Sequence, residues 1–157
     1  MHPGSYFEEF DVKERKKTSL RKGDRSYLVK EPIELGNPNL VTLIEEMSGK
    51  KMKDTRLNVV IMPDKKILVL PCTFREGQES QHSIVAKGNP CAWAGEVTID
   101  IEEKKVTQIN DQSGHFKTLD YYEEMQDAIS NFALQAFREK GYNVPPEVKL
   151  VRKRSIV

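Results

Sequence analysis

The stretch Asn58-Val-Val-Ile-Met-Pro-Asp-Lys-Lys-Ile-Leu-Val-Leu70 decides the fold of this chain. Two runs rich in β-branched and apolar residues, 58–62 and 66–70, flank Pro63-Asp64-Lys65. Proline presets one backbone torsion, and aspartate bonds to its own backbone two residues on. The middle therefore reads as a turn and the whole as a β-hairpin. Further strand candidates follow: Gln81-His-Ser-Ile-Val-Ala86, then Ala92 to Ile101 and Lys105 to Ile109, the last two joined through Glu102-Glu-Lys104. Short connectors force antiparallel pairing, because a parallel return needs a crossover of about a dozen residues. An antiparallel β-meander of about five strands is the expectation.

On either side of these strands the period changes from two to 3.6. Before them, Asn37-Pro38-Asn39 reads as a helix start, Leu40, Leu43, Ile44 and Met47 as its apolar stripe, and Ser48-Gly49 as its end. After them, Leu119 to Lys140 reads as one long helix, with Thr118 as N-cap and Asp120 facing the N-terminal dipole. Tyr122, Met125, Ala128, Ile129, Phe132, Ala133, Ala136 and Phe137 form its apolar face. Gly141 suits the left-handed cap, Pro145-Pro146 stops the helix, and Val148 to Val151 suits an edge strand. The expected class is α+β, two-layer: the meander, one long C-terminal helix packed on it, and a short N-terminal helix. Residues 1–36, with the short strand candidate Ser26-Tyr-Leu-Val-Lys30, read as a charged N-terminal arm, and 37–157 as a single α+β domain.

The 157 residues suit one domain, and 38% hydrophobic with 31% charged residues is a globular balance. A net charge of +1 argues against general nucleic-acid binding. The ends are nevertheless basic. Lys13, Arg15, Lys16, Lys17, Arg21, Lys22 and Arg25 face only Glu14 and Asp24, and Lys149, Arg152, Lys153 and Arg154 close the chain. Solvated tails are the commoner role of such runs; contact of the basic arm with nucleic acid is the alternative. No run approaches the ~18 apolar residues of a membrane span, and the N-terminus lacks an apolar signal core. The expected location is the cytoplasm, or a target cell reached through a specialised secretion system. Cys72 and Cys91 fit reduced thiols.

Chemistry has few candidate carriers. The histidines are His2, His82 and His115. Ser113-Gly114-His115 sits at the expected strand-to-helix junction, where it combines a hydroxyl, a permissive backbone and a side chain that titrates near neutral pH. Were His82 and His115 to share a cleft, they could act as base and acid, with Lys117 or Lys87 stabilising an anion. That set suits metal-independent RNA cleavage; structural hydrogen bonding is the commoner fate of such histidines. Glu96, beside Gly95, could orient His82 or hold a ribose, while an outward strand position is its plain reading. Trp93 could stack a ring, while core packing is commoner. Cys72, His82, Cys91 and His115 lack the short Cys-x-x-Cys spacing of zinc sites, so neither metal nor cofactor is expected.

Four segments together resemble a known module. Val60-Ile-Met-Pro-Asp-Lys-Lys-Ile-Leu-Val69, Gln81-His-Ser-Ile-Val-Ala-Lys-Gly88, Ala94-Gly-Glu-Val97 and Ile109-Asn-Asp-Gln-Ser-Gly-His-Phe-Lys117 stand in the order found in a module of bacterial polymorphic toxins and effectors. That module is similar to the C-terminal half of plant calmodulin-binding IQ-motif proteins. The likeness spans about 57–144, with Lys65 in place of glycine, Phe116 in place of tyrosine and Thr118 in place of proline; the IQ motif itself is absent. The resemblance marks His82, Ser83, Ala94, Gly95, Glu96, Ser113, Gly114 and His115, and implies no established reaction. The expected function is thus an effector or toxin-associated module that binds a protein partner or ligand through the Ser-Gly-His corner, with Ser83, Ser113, Gly114, Lys117 and Trp93 in contact. The alternative is a small toxin-type enzyme, a ribonuclease or ADP-ribosyltransferase, using His82, His115 and Glu96.

Overall fold

The computed structural model describes residues 31–87, 89, 91–110, 126–146 and 148. The expected hairpin is present: β2 (Leu57–Ile61) pairs with β3 (Ile67–Pro71), Val59 opposite Val69. Its loop closes through Lys65 N–H to the Met62 carbonyl at 2.8 Å and Met62 N–H to the Lys66 carbonyl at 2.8 Å. Asp64 Oδ1 accepts the Lys66 N–H at 3.0 Å. Lys65 takes the left-handed conformation, φ 70°, at the position where the resembling pattern carries glycine.

The chain enters the sheet at β1 (Ile33–Glu34), inside the stretch read as an arm, with Ile33 opposite Val69. Helix α1 (Leu40–Ser48) follows, closed by Gly49 at φ 73°, as Ser48-Gly49 suggested. A 3-10 turn at Met52–Asp54 leads into β2. After β3 the chain makes one helical turn, α2 (His82–Val85), and returns as β4 (Trp93–Asp100) and β5 (Lys105–Asn110). Helix α3 (Gln126–Glu139) comes last.

The expected fold class needs correction on two points. The strand order is β1-β3-β2-β4-β5, all antiparallel, which is not a meander. The segment 81–86, expected as a third strand, is instead the helical turn α2. A short apolar run does not by itself separate strand from buried helix, and here Ile84, Val85 and Ala86 bury against the sheet rather than joining it. The 72–92 connection therefore crosses over β2, and β4 pairs with β2 on the side away from β3. The second correction is the long C-terminal helix. The described helix after the sheet has 14 residues, and among its described side chains Ala133, Ala136 and Phe137 are buried in the core. No helix among the described residues is long and apolar enough to cross a membrane.

Strand alternation sorts the core into two sides. Leu57, Val59, Ile61, Ile67, Val69, Trp93, Val97 and Ile99 pack with Leu40 and Ile44 of α1 and with Phe137 of α3. On the opposite face Val60, Leu70 and Ala94 pack beneath Phe74, Ile84, Val85, Ala86 and Cys91 of the crossover. Gly95 of β4 has no room for a side chain: a Cβ there would lie 2.0 Å from the Asn110 carbonyl oxygen and 2.4 Å from the Trp93 ring. Gly95→Ala is expected to force backbone and indole apart and to destabilise by about 3 kcal/mol. That corresponds to a melting temperature lower by about 6–12 °C in a domain of this size. Thermal unfolding followed by circular dichroism checks it, and a melting point within a degree of wild type would contradict the packing described.

Candidate functional site

Among the described residues, the crossover covers part of the second face of the sheet. Beside it lies a groove of about 810 Å³ floored by Asn58, Cys72, Glu96 and Thr98. Its walls are Lys50, Lys53 and Arg56 on one side and Ser80, Gln81 and His82 on the other. Register puts the floor together. Asn58 of β2 and Asn110 of β5 stand opposite Glu96 of β4 from its two sides, so three polar residues form one row across three strands.

Asn58, Cys72 and Glu96 of the floor are held by hydrogen bonds. Asn110 Nδ2 donates to Glu96 Oε1 at 3.1 Å, and its Oδ1 accepts the Glu96 N–H at 3.3 Å. The reciprocal pair fixes the carboxylate. Arg56 Nη1 lies 3.7 Å from Glu96 Oε1, and the Cys72 thiol donates to Oε2 at 3.8 Å. Asn58 Nδ2 donates to the Ser80 carbonyl at 3.1 Å and to Ser80 Oγ at 2.7 Å. Ser80 Oγ in turn donates a hydrogen bond to the Pro71 carbonyl at 2.6 Å. The start of the crossover is thereby tied to the sheet.

His82 is 4% exposed. Its Nε2 stands 2.8 Å from the Gly95 carbonyl oxygen. A carbonyl only accepts, so Nε2 carries the hydrogen and donates it. That bond pins α2 to β4 and commits the nitrogen to a structural partner. Burial, followed by the negative charge of Glu96, pushes the Cys72 thiol well above its ordinary 9.0, partly opposed by Arg56. Cys72 is therefore a neutral hydrogen-bond donor near neutral pH, not a thiolate nucleophile.

Of the residues marked in the sequence, the structure brings His82 and Glu96 to one groove. Ser83 follows His82 in α2. Trp93, read as a ring-stacking candidate, is 2% exposed and packs in the core on the opposite face. Lys87 is exposed and ion-paired with Glu31. Cys91 is buried in the apolar cluster under the crossover, whereas Cys72 lines the groove. Ser113, Gly114, His115 and Lys117 lie outside the described residues. Sequence reading missed Arg56, Asn58, Ser80 and Asn110. One signal was available: Asn58 is a lone amide in an otherwise apolar strand, and such an amide is retained only with partners.

Two outcomes follow. His82→Ala leaves the Gly95 carbonyl without its donor and is expected to lower stability by about 1–3 kcal/mol in chemical denaturation at pH 7.5. Unchanged stability would return His82 to the acid–base candidates. The raised Cys72 thiol fixes a pH dependence, because the unfolded thiol ionises near its ordinary value while the folded one does not. Its contribution is fully present below pH 9 and declines as pH rises above it. Tyr142, also raised by burial, acts in the same direction from about 10 upward. Cys72→Ala is expected to flatten the alkaline loss of stability between pH 8.5 and 10.5; an identical slope in the variant would contradict this assignment.

Comparison of the chain with protein-family models, with curated proteins and with solved structures gives no match in any of the three.

Proposed function

We propose that this chain is a binding module that takes a polar ligand, or a polar segment of a partner, in the groove beside the crossover. One observation carries the reading. Among the described residues, the sheet face that is apolar under the crossover continues into a groove lined by polar side chains that are already oriented. A surface that merely faced water would not need Glu96 and Asn110 to hold each other by a reciprocal pair of hydrogen bonds, or Asn58 to be held by Ser80. Preorganisation of this kind lowers the ordering cost of binding, and the groove lies in the size range of ligand sites.

An acid–base role for His82 has less support, since its Nε2 is committed and its side chain is buried. The four ordered motifs support placing the module among effectors or toxin-associated proteins that act by binding. Glu96 and His82, two of the positions the resemblance marks, line the groove.

Titration of isotope-labelled protein with separate pools of amino acids, sugars and nucleotides, read by amide chemical shifts, tests the proposal. Shifts in at least one pool are expected to centre on Asn58, Cys72, Glu96 and Thr98. Thr98→Arg, which fills the groove from its floor, is expected to weaken binding at least about tenfold with the melting temperature kept. The effector aspect is read by growth after induced expression, where the same variant is expected to relieve any inhibition by wild type. No shifts in any pool, or shifts confined to other surfaces, would overturn the reading.

A further inference from the structure

Among the described residues the groove is lined by six side chains of fixed charge: Lys50, Lys53 and Arg56 against Asp54, Glu79 and Glu96. The signs balance, so net charge does not choose a ligand, but exposure does. Five of the six are exposed and face solvent, where salt screens them. Glu96 is the exception: its side chain is 20% exposed and lies at the centre of the floor. Its charge is the least screened in the groove and sets what the floor selects.

The protein's own occupant points the same way. Arg56 brings a guanidinium to 3.7 Å from Glu96 Oε1 while remaining 60% exposed. That separation is too long for a direct hydrogen bond, and an exposed pair of this kind contributes little. Asn110 and Cys72 hold the carboxylate from within the sheet, so it stays oriented when Arg56 swings away. We propose that Glu96 anchors a guanidinium-bearing ligand in this groove, and that Arg56 is a weak internal stand-in which such a ligand displaces. The inference rests on the groove-binding reading above and gives it a ligand chemistry.

The test is titration of the full chain, by calorimetry and amide shifts, with Nα-acetyl-arginine amide and with its citrulline counterpart, in which a neutral urea replaces the guanidinium. Wild type is expected to bind the arginine compound and to bind the citrulline compound at least about tenfold more weakly. Arg56→Ala, which removes the internal competitor on an exposed position, is expected to tighten binding about two- to fivefold. Glu96→Gln, with folding confirmed by circular dichroism, is expected to bring the two compounds to equal, weak binding. A parallel arm with free arginine separates the sources: tighter binding of the acetylated amide assigns the guanidinium to a peptide side chain, tighter binding of free arginine to a small guanidino compound. Equal binding of the arginine and citrulline compounds by wild type, or weakened arginine binding in Arg56→Ala, overturns the inference. So does the absence of any binding in both wild type and Arg56→Ala. If groove resonances then shift with sugars or nucleotides instead, only the guanidinium assignment falls; if nothing shifts them, the groove-binding reading falls with it.

Discussion

Strand β2 leaves no part of itself to solvent: all five of its residues are buried, and both of its edges are paired. A strand with that demand has to sit inside the sheet with cover on both faces. Its odd positions are met by α1 and by α3 across the first core, and Val60 is met by the crossover on the second face. The crossover follows from this constraint. Were β4 to pair with β3, one edge of β2 would lose its partner, and its backbone groups would be buried without the hydrogen bonds they need. The connection 72–92 instead passes over the sheet and delivers β4 to the far side of β2.

The second face then divides by composition. Where β2, β3 and β4 present Val60, Leu70 and Ala94, the crossover packs down with apolar side chains; beside them Asn58 is held by Ser80 of the crossover, and Cys72 and Glu96 line the groove. Burying Glu96 under apolar cover would carry a desolvation cost that no single partner returns. Leaving it partly exposed, held by Asn110 and tethered loosely to Arg56, avoids that cost and sets one little-screened charge among the described groove residues. The raised Cys72 thiol is a by-product of the same arrangement, because it stands beside that carboxylate in a partly dry position.

Within the described residues, His82 is better understood as a clamp than as a reagent. Its bond to the Gly95 carbonyl holds the end of the crossover against β4, close to the point where Gly95 must be bare for Asn110 and the Trp93 ring to approach. Two of the marked positions, 82 and 95, thus have a packing role that needs no chemistry. Glu96, between them and the groove, is the marked position whose charge remains available to a ligand.

What the sequence by itself determined is what rests on local chemistry. The β2–β3 hairpin followed from two apolar runs around Pro63-Asp64, the end of α1 from Ser48-Gly49, and the β4–β5 pair from alternation. Boundaries and partners were less legible. Residues 81–86 were expected to be a strand because Ile84 and Val85 are equally suited to a strand and to a buried helical turn, and the choice was made by contact with Val60 and Leu70. Helix α3 spans 14 described residues where Leu119 to Lys140 was expected, because apolar spacing marks a face and not the residue at which a helix begins. Trp93 and Glu96, three residues apart in one strand, could not be told apart as candidates until register put them on opposite faces. Arg56 and Asn58, Ser80, and Asn110 come from three separate stretches of the chain. Only the tertiary structure decided that they meet at Glu96, because strand order is a long-range property that no local pattern encodes.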